Sequence, residues 1–270
     1  MWKKLYDEIA SAHLFAGPAT MDRATEAELA ALPPAARAFM RFFEVFPARP
    51  KHWSFRVGWT GRFRTAPDRP WMPIAAVQYD ARYPVARIFH MKTRMKGVFP
   101  VLARDTYLHG RGRMVATLAG VMKMADGRGP EYDVGELVTW LNDAVLFAPS
   151  MLLGPDTRWS HIDERSFAIA FTDSGRTVSA RIRVDERGAP VDFQTLDRYL
   201  NDPREAGHPL RACRWSTPIE SWQLRDGKPL PTRGSAIWHL ATGEFTYAVF
   251  EPVAESLAFD GLPPWIVAHS

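Results

Sequence analysis

The sequence predicts an α+β fold: a single curved antiparallel β-sheet, an incomplete barrel, covered by one central helix and by helices at the N-terminus. Three observations carry this. Most of the chain beyond residue 50 repeats with a period of two and turns on short Gly- or Asp-containing connections, as antiparallel hairpins do. Residues 132–147 interrupt that pattern with apolar side chains at helical spacing. No alternation of strands and helices runs along the chain, which argues against a doubly wound parallel sheet.

The first 50 residues read as helices. Trp2, Leu5, Tyr6 and Ile9 share one helical face. Thr25 and Glu28 form a capping box, in which hydroxyl and carboxylate satisfy the free amides of a helix start. Pro33 and Pro34 end that segment and open the next, since proline is tolerated in a first turn. Phe39, Phe42, Phe43 and Phe46 then form a stripe opposite Arg37 and Arg41, most simply core packing, and Pro47 and Pro50 close it.

From Lys51 the period becomes two, with Trp53, Phe55, Val57 and Trp59 on one side of a strand. Further strands are expected at 71–79, 85–96, 98–108 and 111–124, before a loop at Asp126-Gly127-Arg128-Gly129-Pro130. The central helix should start near Asp133, a good cap residue. It should bury Leu137, Trp140, Leu141 and Ala144 and stop at Pro149. Strands return at 166–172, 176–184, 190–199, 212–223, 232–240 and 244–251, with a polar loop at 201–210. The division is residues 1–50 as a helical segment on the sheet, 51–252 as a half-barrel with helix 134–147 as lid, and 253–270 as a tail.

Composition narrows the function. The 270 residues are 46% hydrophobic and include ten Trp, sixteen Phe and ten Met. Such side chains fill a core or line a plastic apolar cavity. The net charge of +4 comes from scattered residues, densest at Lys92, Arg94 and Lys96, without the aromatic-interleaved basic run of a nucleic-acid surface. Cys213 is the only cysteine, which excludes an intrachain disulfide and a Cys-based zinc site. Asp7 and Glu8 interrupt what would be the apolar stretch of a signal peptide, and no apolar run is long enough to span a bilayer. The expectation is a soluble, cytoplasmic protein.

Particular motifs sharpen the picture. Leu32-Pro-Pro-Ala-Ala-Arg-Ala-Phe39, Asp105-Thr-Tyr-Leu-His-Gly-Arg-Gly-Arg-Met114 and Gly135-Glu-Leu-Val-Thr-Trp-Leu141 occur in that order. Leu152-Leu153, Trp159, Asp197-Arg-Tyr199, Thr217-Pro218, Leu230-Pro-Thr-Arg-Gly-Ser-Ala-Ile-Trp-His-Leu240 and Phe245-Thr-Tyr247 follow. Together they resemble a family of bacterial proteins of unknown function, from about Leu32 to Glu251. The resemblance implies an architecture similar to the lipoprotein-carrier fold, an antiparallel half-barrel wrapped around helices. Asp143 and Leu146 depart from it, standing where the family helix carries Glu and an aromatic residue.

No His-Glu-x-x-His, nucleophile elbow or phosphate loop occurs, so neither a metal nor a cofactor is expected. The candidates are polar residues set among aromatics. Asp143 lies roughly 60° around the helix from Trp140, either as an ordinary polar-face residue or as a carboxylate at a pocket rim. Asp197 should share an inward strand face with Phe193 and Tyr199 and need a partner such as Arg113 or Arg233. His239 lies opposite Trp238 and is a surface histidine or a general base. The leading function is binding a hydrophobic or amphipathic small molecule between sheet and helix. Trp140, Leu141, Arg113, Met114, Tyr199, Arg233, Trp238 and His239 are expected around it. The alternative is a cofactor-independent lyase, isomerase or hydrolase in which Asp143 or Asp197 does acid–base work.

Overall fold

The computed structural model describes residues 1–261 except 15–16, 19, 96 and 202–208. Three short helices come first: α1 (Trp2–Ser11), α2 (Glu26–Ala30) and α3 (Pro34–Phe42). A meander follows, of β1 (Ser54–Phe63), β2 (Met72–Arg82), β3 (Val85–Met95), β4 (Phe99–Leu108), β5 (Arg111–Leu118) and β6 (Met122–Arg128). The long helix α4 (Pro130–Phe147) and a turn of 3-10 helix at Pro149–Leu152 lead into a second run of strands. These are β7 (Thr157–Asp163), β8 (Ser166–Asp173), β9 (Arg176–Val184), β10 (Pro190–Thr195), β11 (Tyr199–Asn201), β12 (Leu210–Ala212) and β13 (Trp215–Ser216). Last come β14 (Ile219–Arg225), β15 (Lys228–Leu240) and β16 (Gly243–Phe259).

Among the described residues all strand pairs are antiparallel, and 14 strands make one sheet in the order β6-β5-β4-β3-β2-β1-β16-β15-β13-β10-β9-β8-β7, with β14 beside β15. The two halves of the chain therefore join at the β1–β16 seam, where Thr60 faces Glu251. The sheet is a curved half-barrel whose free edges, β6 and β7, are linked in sequence by α4. That helix packs on strands from both halves, including β4, β5, β9, β10 and β15.

Both faces of β2 and β3 are covered, which is why β2 does not alternate cleanly in polarity. Phe55, Val57, Trp59 and Ala76 point to the inner side with Leu137, Trp140, Leu141 and Ala144 of α4. Val77, Tyr79, Ala81, Ala86 and Ile88 point outward under Leu5, Tyr6 and Ile9 of α1. Glu8 anchors α1 by accepting from His90 at 2.6 Å and pairing with Arg104. Thr25 and Glu28 form the expected capping box. The inner approach of α4 is close enough to require glycine on β5: a Cβ at Gly112 would lie 2.0 Å from the Tyr132 carbonyl oxygen.

Several boundaries differ from the sequence reading. Pro130 opens α4 earlier than expected, and Asp133 is not its cap. Instead its carboxylate accepts from the Gly112 amide at 2.7 Å and from Arg111 and Arg176, which fastens α4 to β5 and β9. The strand expected at 111–124 is a hairpin turned at Ala119 and Gly120, both with positive φ. Strand 190–199 breaks at Leu196, and strand 212–223 is split into short pieces. The tail expected from residue 253 is shorter, because β16 continues to Phe259, opposite Phe55. Most of the expected loop at 201–210, residues 262–270 and Lys96 lie outside the described residues.

Candidate functional site

A cavity of about 150 Å³ lies between α4 and the inner face of the sheet. Strand register explains its wall. On β3, Arg87, Phe89 and Met91 recur at every second position and so share a face. Opposite them across the strand pairs stand Asp80, Gln78 and Ala76 on β2 and Tyr107, Asp105 and Ala103 on β4. Trp59 and Phe63 of β1, with Tyr247 and Phe250 of β16, continue the wall across the seam. Trp215, Ile219 and Ala236 close it from the second half. Helix α4 contributes Glu136, Thr139, Asn142, Asp143 and Leu146, spaced at three and four residues and so on one side. The cavity is thus two-sided: aromatic and aliphatic along the sheet, polar along the helix and the adjoining parts of β2 to β4.

A buried charge network forms the polar side. Arg87 donates through Nε to Asp143 at 2.8 Å and through a terminal nitrogen to Glu136 at 3.0 Å. Gln78 donates to Asp143 at 2.7 Å and to Asp80 at 2.6 Å, and its own oxygen accepts from Trp59 Nε1 at 3.0 Å. Asn142 donates to Asp143 and accepts from Thr217 at 2.6 Å. Arg198 reaches in from the segment after β10, donating to the Gly135 carbonyl at 3.0 Å and to Thr139. Its guanidinium lies 4.7 Å over the Trp215 ring, where a cation is held by the ring's negative face.

Asp80, Glu136 and Asp143 are at most 7% exposed. Burial pushes the Asp80 carboxyl well up, and the neighbouring Asp143 charge adds to this. Burial, followed by the charge of Asp105, raises Glu136 to about 7. Burial also raises Asp143 and Asp105, against the opposing pull of Arg87. Burial opposes the charge of Arg87, yet the carboxylates of Asp143 and Glu136 hold its proton more tightly than usual. Two buried oxygens, Asp80 Oδ1 and Asp105 Oδ1, have no hydrogen-bond partner among the described residues. An unpartnered buried oxygen is costly unless protonated or met by a ligand.

Of the residues singled out in the sequence, only Asp143 borders this cavity. Trp140 and Leu141 are fully buried on the other side of α4; Trp140 donates to the Ala81 carbonyl at 3.0 Å and lies 4.6 Å from the Phe171 ring. Asp197 is not on an inward strand face with Phe193 and Tyr199, because β10 ends at Thr195. It accepts from the Ser179 amide and hydroxyl, on β9, and neither Arg113 nor Arg233 is its partner. Arg113 pairs with Asp126 in the β5–β6 hairpin, beside Met114, and Arg233 pairs with Glu220 and Glu251. Tyr199 lies in the β11–β12 ribbon. Trp238 stacks on Tyr247 at 5.9 Å, and His239 bonds Ser216 at 2.8 Å.

The residues the sequence reading missed are Gln78, Arg87, Asp105, Glu136, Asn142 and Arg198. A signal existed for four of them. Glu136 and Asn142 follow helical spacing with Thr139 and Asp143, and Gln78 with Asp80 interrupts an otherwise apolar strand. Arg198 sits between Asp197 and Tyr199, one position from each residue chosen instead.

The chain belongs to a family of unknown function (DUF6544), whose model matches residues 22–250. No curated protein matches it. It is similar to the solved structure of a DUF1329 family protein from Desulfovibrio piger, at 10% identity and a TM-score of 0.44, over 90% of this chain and 96% of the other. It is also similar to a LolA superfamily protein from Nitrosomonas europaea, at 14% identity and a TM-score of 0.37, over 86% of this chain and 96% of the other.

Proposed function

We propose that this DUF6544 protein binds an amphipathic small molecule in the cavity between α4 and the sheet. The observation that carries the reading is the two-sidedness of that cavity. Trp59, Phe63, Phe89, Met91 and Phe250 offer an apolar wall, while Glu136, Asn142, Asp143, Arg87 and Arg198 face it with hydrogen-bonding groups. A volume of about 150 Å³ accommodates a benzene-sized group. The apolar part of the ligand is accordingly one ring or a short chain, and its polar end lies toward α4. Small-molecule sites commonly combine a hydrophobic lining with a few convergent polar groups.

The test is native mass spectrometry of gently purified protein, together with ligand-observed NMR using phenethyl alcohol as a neutral probe. Leu146→Trp, which pushes an indole into the cavity, should abolish retention of a co-purified ligand and of the probe. A wild type that carries no ligand and takes up no probe would overturn the reading.

A second reading rests on Glu136, whose carboxyl is held at about 7 beside the cavity. A group that exchanges its proton near neutral pH suits general acid–base catalysis. In that case the cavity converts its ligand without a cofactor, and Glu136 takes the part assigned from sequence to Asp143. Asp143 is tied by Arg87, Gln78 and Asn142 and is less free to exchange a proton. Conversion of the co-purified ligand by the wild type but not by Glu136→Gln would establish this activity.

A further inference from the structure

We propose that the polar end of the ligand is a cationic amine, received by Asp105 at the carboxyl-rich side of the cavity. This rests on the binding reading above and names the ligand's chemical class.

Charge count is the first support. Four carboxyl groups, Asp80, Asp105, Glu136 and Asp143, surround the inner ends of two guanidiniums, Arg87 and Arg198. Arg104, the other nearby cation on β4, is held by Glu8 under α1. Four carboxyls against two arginines leave an excess of acid, which burial meets by keeping a proton on Asp80 and, up to about pH 7, on Glu136. A buried charge without a counter-ion is expensive. A monocation lets one of these carboxyls ionise with a counter-ion beside it, whereas an anion would compete with the carboxyls for the same two arginines.

Hydrogen-bond capacity is the second. Arg87 is committed to Asp143 and Glu136, and Arg198 donates through one terminal nitrogen to Gly135 and Thr139 while lying over the Trp215 ring. Asp105 borders the cavity and keeps Oδ1 without a partner among the described residues, so an acceptor is in surplus. An ammonium brings three donors and no acceptor, which matches what the site lacks.

The apolar wall is the third. Asp105 stands directly opposite Phe89 on the neighbouring strand, and Trp59, Tyr247 and Phe250 share the lining. Aromatic faces attract an ammonium and pack equally well against the ring or chain that carries it. A carboxylate headgroup gains nothing from those faces.

The experiment compares three probes of one shape: phenethylamine, phenethyl alcohol and phenylacetate, titrated by calorimetry at neutral pH. The amine should bind at least about tenfold more tightly than the alcohol, as a hydrogen bond to a charged group allows, and phenylacetate most weakly. In Asp105→Asn, with folding checked by circular dichroism, the ratio of amine to alcohol affinity should fall to about one. The wild type alone gives a second measurement. An ammonium stabilises ionised carboxylates, so amine binding should release protons, seen as a binding heat that changes with the buffer's ionisation heat. Alcohol binding should not. Alcohol or phenylacetate binding as tightly as the amine, no proton release, or an unchanged ratio in Asp105→Asn would overturn the amine assignment while leaving the cavity reading intact. Failure of all three probes to bind would overturn both.

Discussion

Replacing Glu136 with Gln should remove a pH-dependent loss of stability. Glu136 is 7% exposed on α4, one terminal nitrogen of Arg87 donates to it, and Asp105, Asp143, Arg198 and Asp80 are the other charged groups around it. Burial lifts its carboxyl from 4.5 to about 7 in the folded protein. The folded state therefore keeps a proton that the unfolded chain gives up. The associated stability is fully present below the unfolded value of 4.5 and is lost as pH rises to the folded value of about 7. A shift of that size corresponds to about 3 kcal/mol, from roughly 1.4 kcal/mol per unit. Glutamine is close in shape to the protonated acid and does not titrate. The Glu136→Gln variant should thus match the wild type in acid and exceed it by about 3 kcal/mol above neutral pH. With a urea dependence of roughly 3 kcal/mol per molar, the midpoints should separate by about 1 M. The assay is urea unfolding followed by tryptophan fluorescence, in small steps from about pH 4.5 to about pH 8. A midpoint difference that stays constant across this range, or that favours the wild type as pH rises, would refute the reasoning.

Two further outcomes follow from packing. Trp140→Ala should cost about 3–5 kcal/mol, because the ring is fully buried against Phe171 and its loss would leave the Ala81 carbonyl without that donor. The same change should leave phenethyl alcohol affinity within about threefold once the protein is kept folded, since Trp140 faces away from the cavity; thermal melts and probe titration read the two effects separately. Gly112→Ala should destabilise by more than a surface Gly→Ala change, since its Cβ would meet the Tyr132 carbonyl at 2.0 Å and push α4 off β5. A melting temperature equal to wild type would show that α4 can give way at no cost.

Much of the architecture was legible because hairpins and their turns are local. The strands around Trp59 and Val178, the capping box at Thr25 and the single helix amid strands each follow from patterns a few residues long. The site was less legible, for a tertiary reason. Reading Leu137, Trp140, Leu141 and Ala144 as the buried stripe leaves Glu136 and Asn142 on a solvated face, with Asp143 at its edge. In the fold almost the whole helix is enclosed, and that polar face meets Arg87 and Gln78 instead of water. Periodicity shows which residues share a side. It does not show whether the opposite side meets solvent or another part of the sheet. Asp197 illustrates the complementary error: period two carried through Thr195 places it inward, but the strand ends there and the side chain turns to cap Ser179.

The β1–β16 seam has a consequence for how the molecule is made. Thr60 and Glu251 are 191 residues apart in sequence yet adjacent in the sheet. At roughly 5–20 residues per second, synthesis exposes the free edge of β1 for about 10–40 s before its partner leaves the ribosome. During that interval β1 to β6 can form a meander, but an unpaired inner strand is an invitation to pair with another chain. Helix α4 emerges in that interval ahead of β9, β10 and β15, so at first it has only one of its two walls. The half-barrel is therefore completed at its centre last, and such distant pairing makes folding slow relative to a protein of local contacts. Overproduction should strain this step first. Aggregates captured during synthesis should be joined through the edge of β1, while the finished protein, with that edge sealed by β16, should not associate there.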